Sequence, residues 1–336
     1  MKVTDRNKFV EIDQSYQGCA ATLKTPGLVA AATAFASNMH RVWCMDMYGI
    51  ELVRHWSDAN HVFQQANIRV AGHPRPDLNS ELPADFFDKQ SAAALEIQAE
   101  LDKRRADNPD ELKFAQLMAW VSADTTTKLN PAAQTAADAI LDARLTGTWT
   151  AFEVLAGDLW ADAINCHPNG LSELKGKKRG TVKGNDDSNS LDGLGVGADD
   201  DEGKTVPLKL IQKYKFNLAA HMGTILRAKL SFDSLVRVRD AYRRAFYDDY
   251  RDVDAAINDD AIDKLFLVRN LIVHKAGIVD EMFARRTRSV PEFAGLEIDK
   301  PFPRDESKAI ALIDPVIRSS VRLISAVDDW IANHAD

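Results

Sequence analysis

An arginine, an asparagine and a histidine fall within six residues of a largely apolar helical run, "AIDKLFLVRNLIVHKAG", in the C-terminal part of the chain. Asn270 and His274 are four residues apart and share one helix face, and the long side chain of Arg269 can reach the same cleft. Burying such groups is costly unless each has a partner or a function. Together they suit an anionic phosphate, because a guanidinium binds two phosphate oxygens and an imidazole transfers a proton near neutral pH.

The end of this helix is predicted at Gly277, a residue type suited to the C-cap. His274 then lies in the last turn, near the negative end of the helix dipole. The negative end of a helix dipole favours the imidazolium form of a histidine, so this position suits a residue that exchanges protons. From spacing alone, a structural role also fits these residues, as a buried hydrogen-bonded pair or a solvated helix edge.

The helical period dominates the rest of the chain, and alternating strand patterns are scarce. Asn-Pro pairs at Asn108-Pro109 and Asn130-Pro131 are typical helix starts. The sequence therefore predicts an all-α fold. Apolar spacing of three and four predicts long helices over residues 27–70, 84–106, 109–125 and 130–165, followed by further helices up to the C-terminus.

Residues 171–205 differ in composition from the segments on either side. Basic residues are followed by Gly, Asn, Ser and Asp, which cannot bury enough apolar area to order the segment, so we predict a mobile insertion. Its basic side chains can contact RNA phosphates, although a solvated loop is the stronger interpretation. They are Lys175, Lys177, Lys178 and Arg179. The tryptophans with helical spacing, Trp43, Trp56, Trp149 and Trp160, are expected in the core.

The chain has 336 residues and a net charge of -8, which argues against a surface that coats nucleic acid but not against a local basic cleft. Cys19, Cys44 and Cys166 are widely spaced, which disfavours a zinc site or a disulfide framework. No signal peptide or membrane-spanning run is recognisable, so we expect a soluble cytoplasmic protein without a membrane partner.

The motif resembles the signature of a known family. "RNLIVH" has the form Arg, four residues, His, and "VRNLIVHKAGIVD" is similar to the variant of the HEPN superfamily in which Asn follows the Arg and Gly follows the His by three. HEPN proteins are α-helical bundles and are often ribonucleases. The stretch "TGTWTAFEVLAGDLWADAINCHP" resembles their early bundle helix, which often carries an acidic residue facing the Arg/His site. Glu153 occupies that place.

The resemblance covers roughly residues 130–285. It implies a HEPN-like helical bundle over 130–336, with a mobile insertion at about 171–205. Residues 1–129 form an N-terminal helical region of unknown role.

The resemblance implies a metal-independent RNA endonuclease without a cofactor, acting as a homodimer in which two motifs meet in one cleft. His274 would transfer a proton to or from the ribose 2′-hydroxyl or the leaving oxygen, and Arg269 would stabilise the scissile phosphate. Asn270 would orient His274 or the phosphate, and Glu153 would hold Arg269 or tune the acid–base behaviour of His274. The products would be a 2′,3′-cyclic phosphate and a 5′-hydroxyl. A bacterial toxin or phage-defence effector, with an antitoxin or regulatory partner protein, fits this activity.

A second basic segment follows the motif helix directly. Its cations, Arg285, Arg286 and Arg288, are candidates to extend a phosphate-binding rim. One position departs from a HEPN subclass that carries Tyr two residues after the His, since Ala276 stands there. Regulation by nucleotide transfer onto that tyrosine is therefore not supported.

Two alternatives to the nuclease stay open. One is a catalytically inactive HEPN module that binds RNA, a nucleotide or a partner protein. The other is a structural bundle in which Arg269 and Glu153 form a buried pair.

Overall fold

The computed structural model describes residues 13–76, 83–174, 208–230, 232 and 234–334, and these residues are helical or irregular. Within those ranges the backbone forms no strand, and a single isolated bridge joins Ile278 and Pro301. The predicted all-α class is therefore confirmed for the described chain. The α-helices are α1 Val29–Ala71, α2 Phe86–Asp107, α3 Pro109–Leu129, α4 Pro131–Cys166, α5 Pro168–Leu171, α6 Leu208–Lys213, α7 Met222–Arg227, α8 Leu235–Ala245, α9 Arg251–Ile257, α10 Asp260–Lys275, α11 Glu281–Thr287 and α12 Glu306–Asn333.

The four long predicted helices correspond to α1 to α4, and their ends agree with the predictions to within a few residues. Both Asn-Pro pairs start a helix as predicted, because proline at the first helical position loses no hydrogen bond there. The Asn130 side-chain oxygen accepts a hydrogen bond from the backbone N–H of Ala132 at 2.9 Å. The basic run at 175–179 lies outside the described residues.

The chain divides into two compact units, with boundaries inside α1 and α4. The first unit holds the described residues up to Val42 and those from Leu141 onward, and the second is Trp43–Ile140. This division differs from the predicted boundary at 129/130. The physical reason is visible at the N-terminal end, where the carboxylate of Asp328 accepts the backbone N–H groups of Lys24 at 2.9 Å and Thr25 at 2.8 Å.

The core of the first unit is built around the C-terminal part of α4. Trp149 and Trp160 are buried there, as predicted. The indole N–H of Trp160 donates to the carbonyl of Ala241 at 3.0 Å, and the hydroxyl of Tyr242 donates to the carbonyl of Ala156 at 2.8 Å. These bonds satisfy polar groups that would otherwise be costly to bury, and they join α4 to α8. Helix α12 packs against α9 and α10.

The second unit has a smaller core between α1 and α2. Its buried cluster consists of Val62, Ala66, Ala93, Ile97 and Leu101. The prediction that Trp56 belongs to a core is wrong, since 70% of this residue is exposed. Among the described residues, no helix combines the length and the apolar character that crossing a bilayer requires.

Candidate functional site

The motif residues are carried by α10, whose start and buried face are defined by its sequence. The Asp259 side chain caps the helix by accepting the backbone N–H of Ala261 at 2.9 Å. Residues three apart form the buried stripe that fixes the helix in the bundle. They are Ile262, Leu265, Val268 and Leu271. Because this stripe faces the core, Arg269, Asn270 and His274 lie on the remaining surface of the helix.

The C-terminal end of α10 is tightly held. Ala276 and Gly277 both have left-handed backbone conformations, with φ of 52° and 77°, and the Gly277 N–H bonds the Leu271 carbonyl at 3.0 Å. This geometry confirms the predicted helix end and favours glycine. The Arg304 guanidinium packs against Gly277 where a side chain would stand, and it donates to the Ala276 carbonyl at 3.2 Å. Arg304 therefore holds the helix end next to His274.

Two of the motif side chains contact each other. The Nη1 of Arg269 donates to Oδ1 of Asn270 at 2.9 Å, and both residues are half-buried. His274 is exposed and lies one turn beyond Asn270. A neutral amide therefore orients the guanidinium without neutralising its charge. Arg269, Asn270 and His274 follow one another along the same exposed end of α10.

Two contacts determine the direction of α4 relative to α10. The ring of Trp149 on α4 packs on Phe266 of α10, with centroids 4.9 Å apart. Arg304 connects Asp142 of α4 with the carbonyl of Ala276 at the end of α10. Trp149 thus lies opposite Phe266, and Asp142 lies near Ala276. Residue numbers therefore decrease along α4 in the direction in which they increase along α10. The two helices are therefore antiparallel.

The antiparallel arrangement of α4 and α10 places Glu153 far from His274 along the helix axes. Glu153 lies beyond Trp149 in α4, at the level of the α10 residues that precede Phe266. With a rise of about 1.5 Å per residue, it is displaced along the helix axes by roughly 10 Å from Arg269 and roughly 18 Å from His274. The α4 carboxylate at the level of His274 is Asp142, which the sequence interpretation did not single out.

A cleft between α10 and α11 lies beside the motif. It is lined by Leu267, Asn270, Leu271, Lys275, Asp280, Met282, Phe283 and Arg286. Lys275 and Arg286 contribute two cations, and the Asp280 carboxylate lies 3.5 Å from the Lys275 ammonium. Of the three arginines predicted to form a rim, Arg286 lines this cleft, whereas Arg285 and Arg288 are exposed residues in and just after α11. Lys275 was missed, although its position next to His274 could have indicated it.

A second concave site lies wholly within the second unit. Its volume is about 290 Å³, and it is lined by Arg54, Ser57, Asp58, Arg105, Glu111, Phe114, Ala115, Met118, Ala119 and Ser122. Both terminal nitrogens of Arg105 donate to Asp58, at 2.6 and 2.8 Å, and the Arg54 guanidinium donates to Glu51 at 2.6 and 2.8 Å. The hydrogen bond from Arg105 lowers the pKa of Asp58, and the same bond raises the pKa of Arg105. Carboxylates thus neutralise the arginines of this cavity.

A third charged group lies on α4, near its C-terminal end. Arg227 forms an ion pair with Asp158, and Asp162 follows Asp158 by one turn. Burial, reinforced by the negative charge of Asp158, raises the pKa of Asp162 to about 6. Asp162 is therefore a carboxyl group that titrates near neutral pH, although the motif on α10 does not include it.

The fold and the site define this chain as an all-helical protein with an Arg/Asn/His set at one helix end and a cation-lined cleft beside it. No family model matches the chain, and no curated protein and no solved structure matches it significantly. Membership of the HEPN superfamily therefore stays a prediction from the sequence.

Proposed function

We propose that this protein is a metal-independent RNA endonuclease of the HEPN type, with Arg269 and His274 acting on the scissile phosphodiester. The observation that supports it best is the partner of Arg269, whose guanidinium donates to the amide of Asn270. Among the described residues no carboxylate forms an ion pair with Arg269, so its charge is available to a phosphate. His274 is exposed one turn further, within reach of the same substrate.

The reaction begins with attack of a ribose 2′-hydroxyl on the adjacent phosphorus. The bond from phosphorus to the 5′-oxygen breaks, which leaves a 2′,3′-cyclic phosphate and a 5′-hydroxyl. His274 accepts the 2′-hydroxyl proton or donates one to the leaving oxygen, and Arg269 stabilises the charge that develops on the phosphate. Asn270 orients Arg269. In a homodimer a second copy of the motif supplies the other proton transfer.

The neighbouring cations extend this site along the RNA. Lys275 and Arg286 line the cleft next to Asn270 and are suited to bind the phosphates that flank the scissile one. Glu153 has no part in the proposed proton transfer, because its level on α4 is distant from His274. Glu153→Gln should therefore cleave RNA at a rate close to that of the wild type.

The test is RNA cleavage by the purified chain in EDTA, followed by sequencing of the 5′-hydroxyl ends. His274→Ala and Arg269→Ala should each abolish cleavage while retaining the far-UV circular dichroism of the wild type. Matched controls are His55→Ala and Arg251→Ala, whose side chains are 69% and 87% exposed. Cleavage that requires Mg²⁺, or that persists in both motif variants, would contradict the proposal.

A toxin or phage-defence effector is the biological role that fits such a nuclease. Induced expression of the wild type in a bacterium should then arrest growth, whereas expression of His274→Ala should not. An antitoxin partner would suppress that arrest. Ala276 stands where a HEPN subclass carries a tyrosine, so regulation by nucleotide transfer onto that position is not supported.

The second candidate is a HEPN module that binds RNA or a nucleotide without cleaving it. The specific observation in its favour is that the cleft is lined by Asn270, Lys275 and Arg286 and not by His274. Binding can therefore take place without the imidazole. This candidate predicts RNA binding without cleavage in the wild type, equal binding in His274→Ala, and weakened binding when Lys275 and Arg286 are both replaced by alanine.

A further inference from the structure

The second unit exposes an apolar stripe along α1. It consists of Met45, Tyr48, Leu52, Trp56, Ala59 and Phe63, all of them exposed. The exposed fractions are 66% for Tyr48, 70% for Trp56 and 54% for Phe63. Three large aromatic side chains on one surface of a helix form a patch of the kind that marks an interaction site.

The spacing of these residues places them on one face of the helix. Successive members are three, four, four, three and four residues apart, which at 3.6 residues per turn keeps them within a sector about 80° wide. From Met45 to Phe63 the stripe spans about 27 Å at a rise of 1.5 Å per residue. It is therefore a continuous stripe on one helix face and not a set of scattered apolar residues.

The stripe is distinct from the part of α1 that packs inside the second unit. Val62 and Ala66 form that buried part, together with Ala93 and Ile97 of α2. In the same stretch of α1, Arg54 and Asp58 point toward the cavity lined by α3. Among the described residues of the unit, internal contacts thus leave the stripe uncovered, and they do not explain why it is apolar.

The exposed area matches what a protein dimer needs. A fully buried aromatic side chain covers about 150–250 Å², so at these exposures the stripe presents roughly 500 Å² of apolar surface. A standard interface buries about 800 Å² on each partner, of which roughly 500 Å² is apolar. One stripe on each of two copies therefore supplies the apolar share of such an interface.

The charge pattern favours a second copy as the occupant. All six stripe residues are uncharged, so two identical stripes can meet without like-charge repulsion or burial of an unpaired charge. Self-association of one helix face around a two-fold axis is also the commonest form of protein assembly. None of these six residues would complement a charged partner.

We propose that the α1 stripe is a homodimerisation surface, with Trp56 near its centre as the main anchor. This proposal does not rest on the proposed nuclease function. The two copies associate through their stripes, and the aromatic side chains become buried between the helices. The arrangement requires no group other than a second copy of this chain.

The test is sedimentation equilibrium of the full chain, compared between wild type and variants at equal concentrations. Trp56→Glu should halve the weight-average mass at a concentration where the wild type is associated, and should raise the dissociation constant at least ~30-fold, as expected for a central aromatic anchor. The test measures molecular mass and not RNA cleavage, so its failure is distinct from failure of the nuclease proposal.

The matched control is Phe216→Glu in the first unit, where Phe216 is 69% exposed. It should leave the mass unchanged. Leu52→Glu is the second stripe variant, and far-UV circular dichroism checks that each variant keeps its helices. A wild-type chain that has the monomer mass of 37.2 kDa at about 100 µM would overturn the proposal. Stripe variants that are folded and have the same mass as the wild type would overturn it as well.

Discussion

The arginines of the second unit and the arginine of the α10 motif have different partners. Arg54 and Arg105 donate to the carboxylates of Glu51 and Asp58, and the side chains of Arg54, Arg105 and Asp58 are at most 15% exposed. Arg269 donates to the neutral amide of Asn270 and is half-buried. A buried arginine with a carboxylate partner stabilises a fold, whereas one held by an amide keeps a charge that a phosphate can use. The partner of an arginine therefore indicates its role better than its burial does.

Removing a carboxylate from the second unit should have the largest effect. In Asp58→Ala, Arg105 and Arg54 lose a buried partner, so the free energy of unfolding should fall by about 3 kcal/mol, measured by urea denaturation followed by circular dichroism. Since the pKa of Asp58 is lowered in the folded state, its stabilising contribution is present above the ordinary value of 3.8 and is lost as the pH falls through the folded pKa. Equal stability of Asp58→Ala and wild type would contradict a structural role for these arginines.

Replacing Arg269 should reduce RNA cleavage strongly and change stability little. Arg269→Lys retains a positive charge but loses the fork that binds two phosphate oxygens, so we expect RNA cleavage to slow by about 100-fold. The free energy of unfolding should change by less than ~0.5 kcal/mol, because no ion pair is broken. Arg105→Lys is the matched replacement in the second unit, and it should lower stability without changing cleavage. A markedly unstable Arg269→Lys together with an inactive Arg105→Lys would contradict the functional role of Arg269 and the structural role of Arg105.

A smaller effect is expected at the cleft between α10 and α11. Replacing Lys275 and Arg286 by alanine removes two phosphate contacts, so the slope of log affinity for RNA against log salt concentration should decrease by about 2. Filter binding or fluorescence anisotropy at several salt concentrations measures the slope. The control is Arg285 and Arg288 replaced together, which should change the slope less because neither residue lines the cleft. Equal changes in the two double variants would remove the cleft from the proposed RNA path.

The smallest effect concerns Asp162, a carboxyl group near the Arg227–Asp158 ion pair that forms no ion pair of its own among the described residues. Its pKa is raised to about 6, so the ionised form is penalised in the folded state. Folding stability should therefore be reduced above pH 6 and recover as the pH falls toward 4. Asp162→Asn should raise the free energy of unfolding at pH 8 by about 1 kcal/mol, after allowance for partial solvent exposure. At pH 4 the two proteins should differ little, and a constant difference would contradict the assignment.

The helices were predictable because they depend on local sequence. The Asn-Pro starts and the apolar spacing indicated α1 to α4, and Gly277 indicated the end of α10. The level of Glu153 was not predictable in this way, since periodicity states which face of α4 is apolar but not in which direction α10 runs beside it. The prediction that Trp56 is buried was wrong for a related reason, because an apolar residue at helical spacing is buried only if another element covers that face.

The sequence by itself determined the helical class, the order of the long helices and the clustering of Arg269, Asn270 and His274 on adjoining turns. These properties follow from spacing along one chain segment. Only the tertiary structure decided that residues 13–42 pack with the unit that carries the motif, that Arg304 holds the end of α10, and that Lys275 and Arg286 share a cleft. Each of these depends on contacts between segments far apart in the sequence, and local periodicity contains no information about them.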